Sequence, residues 1–281
     1  MYELEHVIVA YGDNIGYHHG AKFQVLSAWH KWYSKSDVGV CVVTDKPELF
    51  ECYPVRLVQI TEQDAYDWSL SGTQHFGIKL RSLEKAMLTG NVDVSLLLDT
   101  DTYWRKNPRL LANRIKPNHA VMFCDEGQIK GTRNVSINRF NEGLENLEIP
   151  WANSSYKLSN LSHMYNSSII GLHKNNIDLL ARAFELFSAL EPHVEAHTVE
   201  QFSLGETLRL NGVSVSFGSR YTRDWSSIGR KNYATPILND FFETFGENDF
   251  DTHLKQVNSI KINRPLKTLI QQKFARLKGK L

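Results

Sequence analysis

Two carboxylates two residues apart, Asp99-Thr-Asp101, follow the apolar run Ser95-Leu-Leu-Leu98. Such a run reads as a buried strand. Two acids leaving a core must open on a cleft or meet a cation, because burying unpaired charge is costly. Hard divalent cations such as Mg²⁺ and Mn²⁺ take one or two carboxylates and complete their shell with water and phosphate oxygens. The chemistry suggested is a metal held at a strand end against a phosphorylated substrate; the plainer alternative is a pair of solvated turn acids. The aromatic pair Tyr103-Trp104 directly after it favours the first reading. Other chemistries find no support. The histidines, His18-His19 included, lack zinc-ligand spacing, and no Gly-x-Ser-x-Gly elbow occurs. Gly127 and Gly131 form no phosphate-binding glycine motif.

The elements that must position these acids alternate between strand and helix. His6–Tyr11 reads as a buried strand ending at the turn cluster Gly12-Asp13-Asn14, and residues 20–34 carry apolar side chains at helical spacing. Val38–Thr44 and Arg56–Ile60 read as strands, Ile78–Leu88 as an amphipathic helix, and Val92–Leu98 as the strand that delivers Asp99. Further on, strands are expected at Ala120–Cys124, Ser167–Leu172 and Val213–Phe217, and helices at Ile177–Leu190 and from Thr198 to Leu210. Gly127–Leu161, rich in Asn, Ser and Gly, reads as a long functional loop. This alternation implies an α/β fold with a mainly parallel sheet, whose ligands bind beyond the carboxyl ends of the strands. Both Gly12-Asp13-Asn14 and Asp99-Thr-Asp101 sit at such ends.

Composition narrows the class. The 281 residues, 42% hydrophobic and 22% charged, are ordinary for a globular chain. Eight of the 32 Lys/Arg and none of the 31 Asp/Glu lie in residues 252–281, leaving the rest with an acidic excess of seven. An acidic body excludes a general nucleic-acid binder. The reading is a domain over 1–251 followed by a basic tail over 252–281. Within that tail, apolar residues at 266, 269, 270, 274, 277 and 281 follow one helical face among basic side chains, and Pro265 suits a first turn. Residues 264–281 are therefore expected to lie on an anionic membrane surface. Met1–His6 is polar and leads straight into Val7-Ile-Val-Ala, unlike a secretory leader. Cys41, Cys52 and Cys124 are isolated and read as reduced packing residues. The expected place is the cytoplasm, peripheral on the inner face of the cytoplasmic membrane, where the Asn-x-Ser sequences at 134, 153, 160 and 166 carry no glycan.

Four segments, in order, resemble the GT-A-fold glycosyltransferases, particularly the group around bacterial family 8. Val7-Ile-Val-Ala-Tyr-Gly-Asp13 is similar to their nucleotide-binding first strand, Leu96-Leu-Leu-Asp-Thr-Asp101 to their Asp-x-Asp strand end, Tyr165-Asn-Ser-Ser-Ile-Ile-Gly-Leu172 to their acceptor-side strand, and Thr198-Val-Glu-Gln201 to their acid-Gln helix start. The resemblance implies a hexose-type transfer from a nucleotide diphosphate donor, a UDP-sugar first, to a saccharide or lipid-linked acceptor in surface polysaccharide or lipopolysaccharide synthesis. It implies Mn²⁺ or Mg²⁺ on Asp99 and Asp101. It places Ala10, Tyr11, Asp13, Lys79, Asp99, Arg230 and Lys231 on the donor, with Arg81 within reach. Glu200 would be the base if the anomeric centre inverts, or would stabilise an oxocarbenium-like state if it is retained. Asn166 would meet a sugar hydroxyl. Ser226-Ser-Ile-Gly229-Arg-Lys231 departs from the family's His-x-x-Gly-x-Lys pattern, with Ser226 where a metal-binding histidine is expected; either another residue such as Asp224 is the third ligand, or the metal is held by Asp101, phosphate and water alone. The rival readings are a sugar-phosphate nucleotidyltransferase and a catalytically degenerate sugar- or nucleotide-binding protein.

Overall fold

The computed structural model describes residues 3–33, 38–152 and 154–263. Its strands are β1 (Leu4–Ala10), β2 (Val38–Thr44), β3 (Arg56–Gln59), β4 (Val94–Leu98), β5 (Thr102–Trp104), β6 (His119–Gln128), β7 (Glu148–Trp151), β8 (Ser154–Lys157), β9 (His163–His173), β10 (Ser214–Phe217) and β11 (Thr222–Asp224). The α-helices are α1 (Ile15–Ala28), α2 (Glu62–Trp68), α3 (Gly77–Thr89), α4 (Arg109–Ala112), α5 (Val135–Leu144), α6 (Asp178–Leu190), α7 (Val199–Leu210), α8 (Ile228–Phe245) and α9 (Phe250–Gln256).

Seven strands form one sheet in the order β10-β6-β9-β4-β1-β2-β3, parallel except for β9, which runs against both β4 and β6. Successive side chains point to opposite faces, and both faces are covered. Ile8, Val42, Leu96 and Leu98 join one core with helices α1 and α8; Val7, Val43 and Leu97 join the other with α3, α6 and α7. Burial on both sides explains why these strands read as continuous apolar runs. The sheet is the mixed, mainly parallel α/β architecture that the alternation implies.

The structure departs from expectation in the middle of the chain. Residues 127–161 are not a loop: they hold α5 and the β7–β8 hairpin, with Ile137, Phe140, Leu144, Ile149, Trp151 and Tyr156 in a third core. Ile137, Phe140 and Leu144 are three and four apart, but Asn, Gly and Glu between them dilute the helical signal. Cys52 is exposed, contrary to a packing role, whereas Cys41 is buried. The body also extends past residue 251. His253 in α9 donates from Nε2 to the Gly246 carbonyl, so its Nδ1 accepts from the Tyr53 hydroxyl at 2.7 Å, and Val257, Ile260 and Ile262 belong to the α1-side core. The amphipathic pattern of 264–281 lies outside the described residues. Among those described, no helix is long and apolar enough to cross a membrane.

One buried polar chain ties β1 to the Asp-x-Asp turn. The Gln24 amide nitrogen donates to the carbonyls of Asp99 (2.8 Å) and Thr102 (2.5 Å), which leaves Gln24 Oε1 to accept from His6 Nε2 at 2.9 Å. His6 Nδ1 then accepts from the Tyr33 hydroxyl at 3.0 Å, so the ring is neutral with its proton on Nε2. Burial pushes the His6 imidazole down to about 3 from 6.5, against a smaller opposing effect of the Gln24 bond. The folded value lies below the unfolded one, so this contribution is intact above pH 6.5 and lost as pH falls toward 3. At pH 5 the loss amounts to about 2 kcal/mol. Urea unfolding at pH 7.5 and 5.0 checks this: wild type should lose that much more than His6→Gln over the same interval.

Candidate active site

Asp99 and Asp101 stand where expected, at the carboxyl end of β4 beside the carboxyl end of β1. They open on a cavity of about 470 Å³ whose lining includes Tyr11, Asp13, Lys79 and Lys231. The walls are built locally. Gly12 adopts φ +82°, a left-handed conformation that glycine enters without strain, and donates its N–H to Asp45 Oδ2 at 3.0 Å. Asn14 then caps α1, accepting from the Gly16 N–H at 3.0 Å. Asp13 meets Lys46 at 2.8 Å, and the Tyr11 hydroxyl donates to the His75 carbonyl at 3.1 Å.

The turn bearing the carboxylates is held from below by α1. A Cβ on Gly20 would lie 2.4 Å from the Thr100 carbonyl oxygen, so only glycine permits this approach. One helical turn on, Gln24 clamps Asp99 and Thr102. Neither residue is singled out by sequence reasoning, because a Gly and a Gln four apart carry no chemical signature; only the docked turn reveals them. Gly20→Ala must push the Asp-x-Asp turn aside. The expected result is a loss of about 10–100-fold in turnover with an unchanged far-UV circular dichroism spectrum, since displacements near 1 Å cost that order of rate.

Lys79, in the first turn of α3, is the centre of a buried network. Its ammonium is 2.7 Å from Asp99 Oδ1, 3.1 Å from Ser167 Oγ and 3.6 Å from Glu200 Oε1. The Ser167 hydroxyl donates to Glu200 Oε1 at 2.6 Å. Burial opposes the charge on Lys79, but the Asp99 and Glu200 carboxylates outweigh it and hold its pKa above the usual lysine value. Glu200 is 1% exposed, and burial raises its pKa against the opposing pull of Lys79 and Ser167. Burial, then Asp99, likewise raises the Asp101 carboxyl, while Lys231, at 2.9 Å from Asp101 Oδ2, pulls it down.

The expected residues are therefore only partly brought together. Ala10 is buried in the core and lines no part of this cavity. Glu200 lies behind Lys79, reaching the cavity through that ammonium. Arg230 turns to Asp224 at 3.0 Å, and Arg81 pairs with Glu84. Asn166 sits on the neighbouring face, donating to Glu126 Oε1 at 2.8 Å, while Gln201 donates to Glu126 Oε2 at 3.1 Å. Glu126 has no place in the sequence reading, since it lies in a polar stretch at the end of β6.

The donor set tests the implied cation. Asp99 and Asp101 present two carboxylates on one turn at a cavity wall, which suits a hard cation that draws its remaining ligands from phosphate and water. A third protein ligand is not assembled: Ser226 donates its hydroxyl to Asp224 at 2.8 Å, Asp224 also accepts from Arg230, and among the described residues no three His, Cys, Asp or Glu side chains converge. The fit is to a cation completed by its substrate.

The mixed, mainly parallel α/β sheet flanked by helices matches the GT-A fold seen in solved glycosyltransferases. The chain is similar to the galactosyltransferase LgtC crystallised with donor and acceptor sugar analogs, at 13% identity and a TM-score of 0.52, over 99% of this chain and 100% of that one. An active-site mutant of LgtC matches at 13% identity and TM-score 0.48, over 76% of this chain and 72% of that one. The bifunctional glycosyltransferase WbbM matches at 12% and 0.45, over 77% and 39%. No protein-family model matches the chain, and no curated protein matches it by sequence.

Proposed function

We propose that this chain is a glycosyltransferase that moves a hexose-type sugar from a nucleotide diphosphate donor, first of all a UDP-sugar, to a saccharide or glycolipid acceptor of a surface polysaccharide or lipopolysaccharide. The observation that carries this reading is the pair Asp99 and Asp101 opening on one cavity with Lys79 and Lys231, at the carboxyl ends of the adjacent strands β4 and β1, where α/β folds bind ligands. LgtC, with the same fold, is a galactosyltransferase crystallised with donor and acceptor sugar analogs.

Asp99 and Asp101 would hold a divalent Mn²⁺ or Mg²⁺, which when bound neutralises the charge that develops on a leaving diphosphate. Tyr11 and Asp13 flank the entrance used by the nucleotide. Lys79 orients Asp99 through their ion pair, and Glu200 fixes Lys79. Asn166, Glu126 and Gln201 present hydrogen-bonding groups to an acceptor approaching from the β9 side. Residues 264–281 would bring this site to an anionic inner membrane surface, where a lipid-linked acceptor resides. Truncation after Asn263 is then expected to abolish pelleting with anionic liposomes while transfer to a short soluble acceptor persists.

Thermal shift with a panel of nucleotide sugars, with and without Mn²⁺, tests the function. A donor at a hundredfold excess over its Kd stabilises the native state by about 2.7 kcal/mol. The expected result is a shift by one UDP-sugar that requires Mn²⁺, together with slow release of UDP. Pyrophosphate formed from a nucleoside triphosphate would instead establish a nucleotidyltransferase. Binding of a UDP-sugar with no turnover on any acceptor, and no UDP release, would establish a binding protein.

A further inference from the structure

The two lysines of the cavity are held in different ways. Lys79 is 12% exposed and bonded to Asp99, Ser167 and Glu200 together, so its position is over-determined. Lys231 is 42% exposed, reaches in from the first turn of α8, and meets a single carboxylate, Asp101, at 2.9 Å. Among the described residues, one lysine is held by three side chains and the other by one.

Charge makes that difference matter. Asp99 and Asp101 are balanced by Lys79 and Lys231, and Asp13 at the rim by Lys46, while buried Glu200 shares Lys79. Among the described residues, the cavity has no positive excess with which to attract a diphosphate. A divalent cation arriving with the diphosphate supplies one, but it needs the oxygens of Asp101. On that carboxylate it would compete with the Lys231 ammonium for the same oxygens, and the two positive groups would repel each other.

Building on the glycosyltransferase reading, we infer that Lys231 is an internal stand-in for the cation: it neutralises Asp101 until metal and diphosphate enter together, then leaves the carboxylate for a diphosphate oxygen. The exchange conserves ion pairs, since Asp101 trades an ammonium for the metal and Lys231 trades a carboxylate for a phosphate. Metal alone would displace Lys231 and leave it without an anion. Metal and diphosphate therefore assist each other, and that coupling is reciprocal by linkage. Lys231 is in this sense a positioning residue that prevents the site from filling with metal before the donor arrives.

Mn²⁺ binding to the full chain, followed by electron paramagnetic resonance of free Mn²⁺ with and without saturating UDP, tests this without turnover. For wild type, UDP is expected to tighten Mn²⁺ binding at least about 10-fold, within the 5–150-fold range of ordinary coupling. Lys231→Met should bind Mn²⁺ alone about 5-fold or more tighter than wild type, with a correspondingly smaller gain from UDP, while Lys231→Arg keeps the wild-type pattern. Equal or weaker Mn²⁺ binding by Lys231→Met without UDP overturns the exchange yet leaves the metal site standing. No Mn²⁺ binding by any form, even with UDP, overturns the metal site itself and the exchange with it. A melting temperature for Lys231→Met within about 2 °C of wild type, as suits a half-exposed side chain, confirms that all forms compared are folded.

Discussion

Asp101→Asn is expected, on the proposed transferase function, to give a folded protein with at least about a 10³-fold loss of turnover, because a carboxylate holding a cation opposite a leaving diphosphate would contribute several kcal/mol to the transition state. The fold should survive. The turn is held by its backbone, through the Gln24 bonds to Asp99 and Thr102 and the Trp225 N–H donating to the Asp101 carbonyl at 2.8 Å, and none of these involves the carboxylate. The side chain is 18% exposed at the cavity wall, where an amide of the same shape is solvated. UDP release at saturating Mn²⁺, paired with thermal unfolding, measures both parts. Turnover that persists in Asp101→Asn and is indifferent to a chelator removes metal-assisted chemistry from this site.

Lys79→Met should produce the largest change in stability, about 3–5 kcal/mol, the usual result of removing one partner from a buried ion pair. Asp99 and Glu200 would then face one another without a cation. Burial already holds the Glu200 carboxyl above its ordinary value, and loss of Lys79 raises it further. A folded pKa above the unfolded one means that the folded chain takes up the extra proton. The deficit is thus fully expressed above the folded pKa and fades as pH falls toward the ordinary glutamate value of about 4.5. Urea unfolding at pH 7.5 and 5 should show the variant approaching wild type at the lower pH. Adding Glu200→Gln should recover part of the loss at pH 7.5. A deficit independent of pH and unrelieved by Glu200→Gln would mean that packing, not charge, is what Lys79 supplies.

The strand that carries Asp99 was legible because a sheet covered on both faces demands apolar side chains at every position, and Ser95-Leu-Leu-Leu98 has no competing pattern. Helix α6 is legible for a different reason: Leu179, Leu180, Ala183, Leu186, Phe187 and Leu190 recur at helical spacing. What held the site in place was harder to see. Gln24 and His6 look like polar residues in apolar segments until their partners, 75 residues and 18 residues away, are known. Glu200 drew notice as an acid in a first helical turn, yet its place behind Lys79 follows from α7 being buried along Val199–Leu208, which its sequence, with Glu, Gln, Ser and Thr, disguises. Lys231 stands out through the resemblance of Ser226–Lys231 to the family's late Gly-and-Lys pattern, but its carboxylate partner depends on how β11 pairs with β5, a contact across more than a hundred residues.

The reversal of β9 between β4 and β6 also has a meaning in time. A chain made from its N-terminus completes β4 and its two carboxylates first, together with Lys79. Ser167, whose hydroxyl lies beside Lys79, comes from β9, and β9 can seat only after some seventy further residues and by pairing against the direction of its neighbours. Lys231 and α8 come later still, and the Lys22–Glu247 pair that fastens α1 beneath the turn comes after them. Long-range pairings of this kind form slowly compared with local structure. The completed cavity is consequently among the last parts of the molecule to exist: a nascent or prematurely terminated chain carries Asp99 and Asp101 but not the partners that surround them.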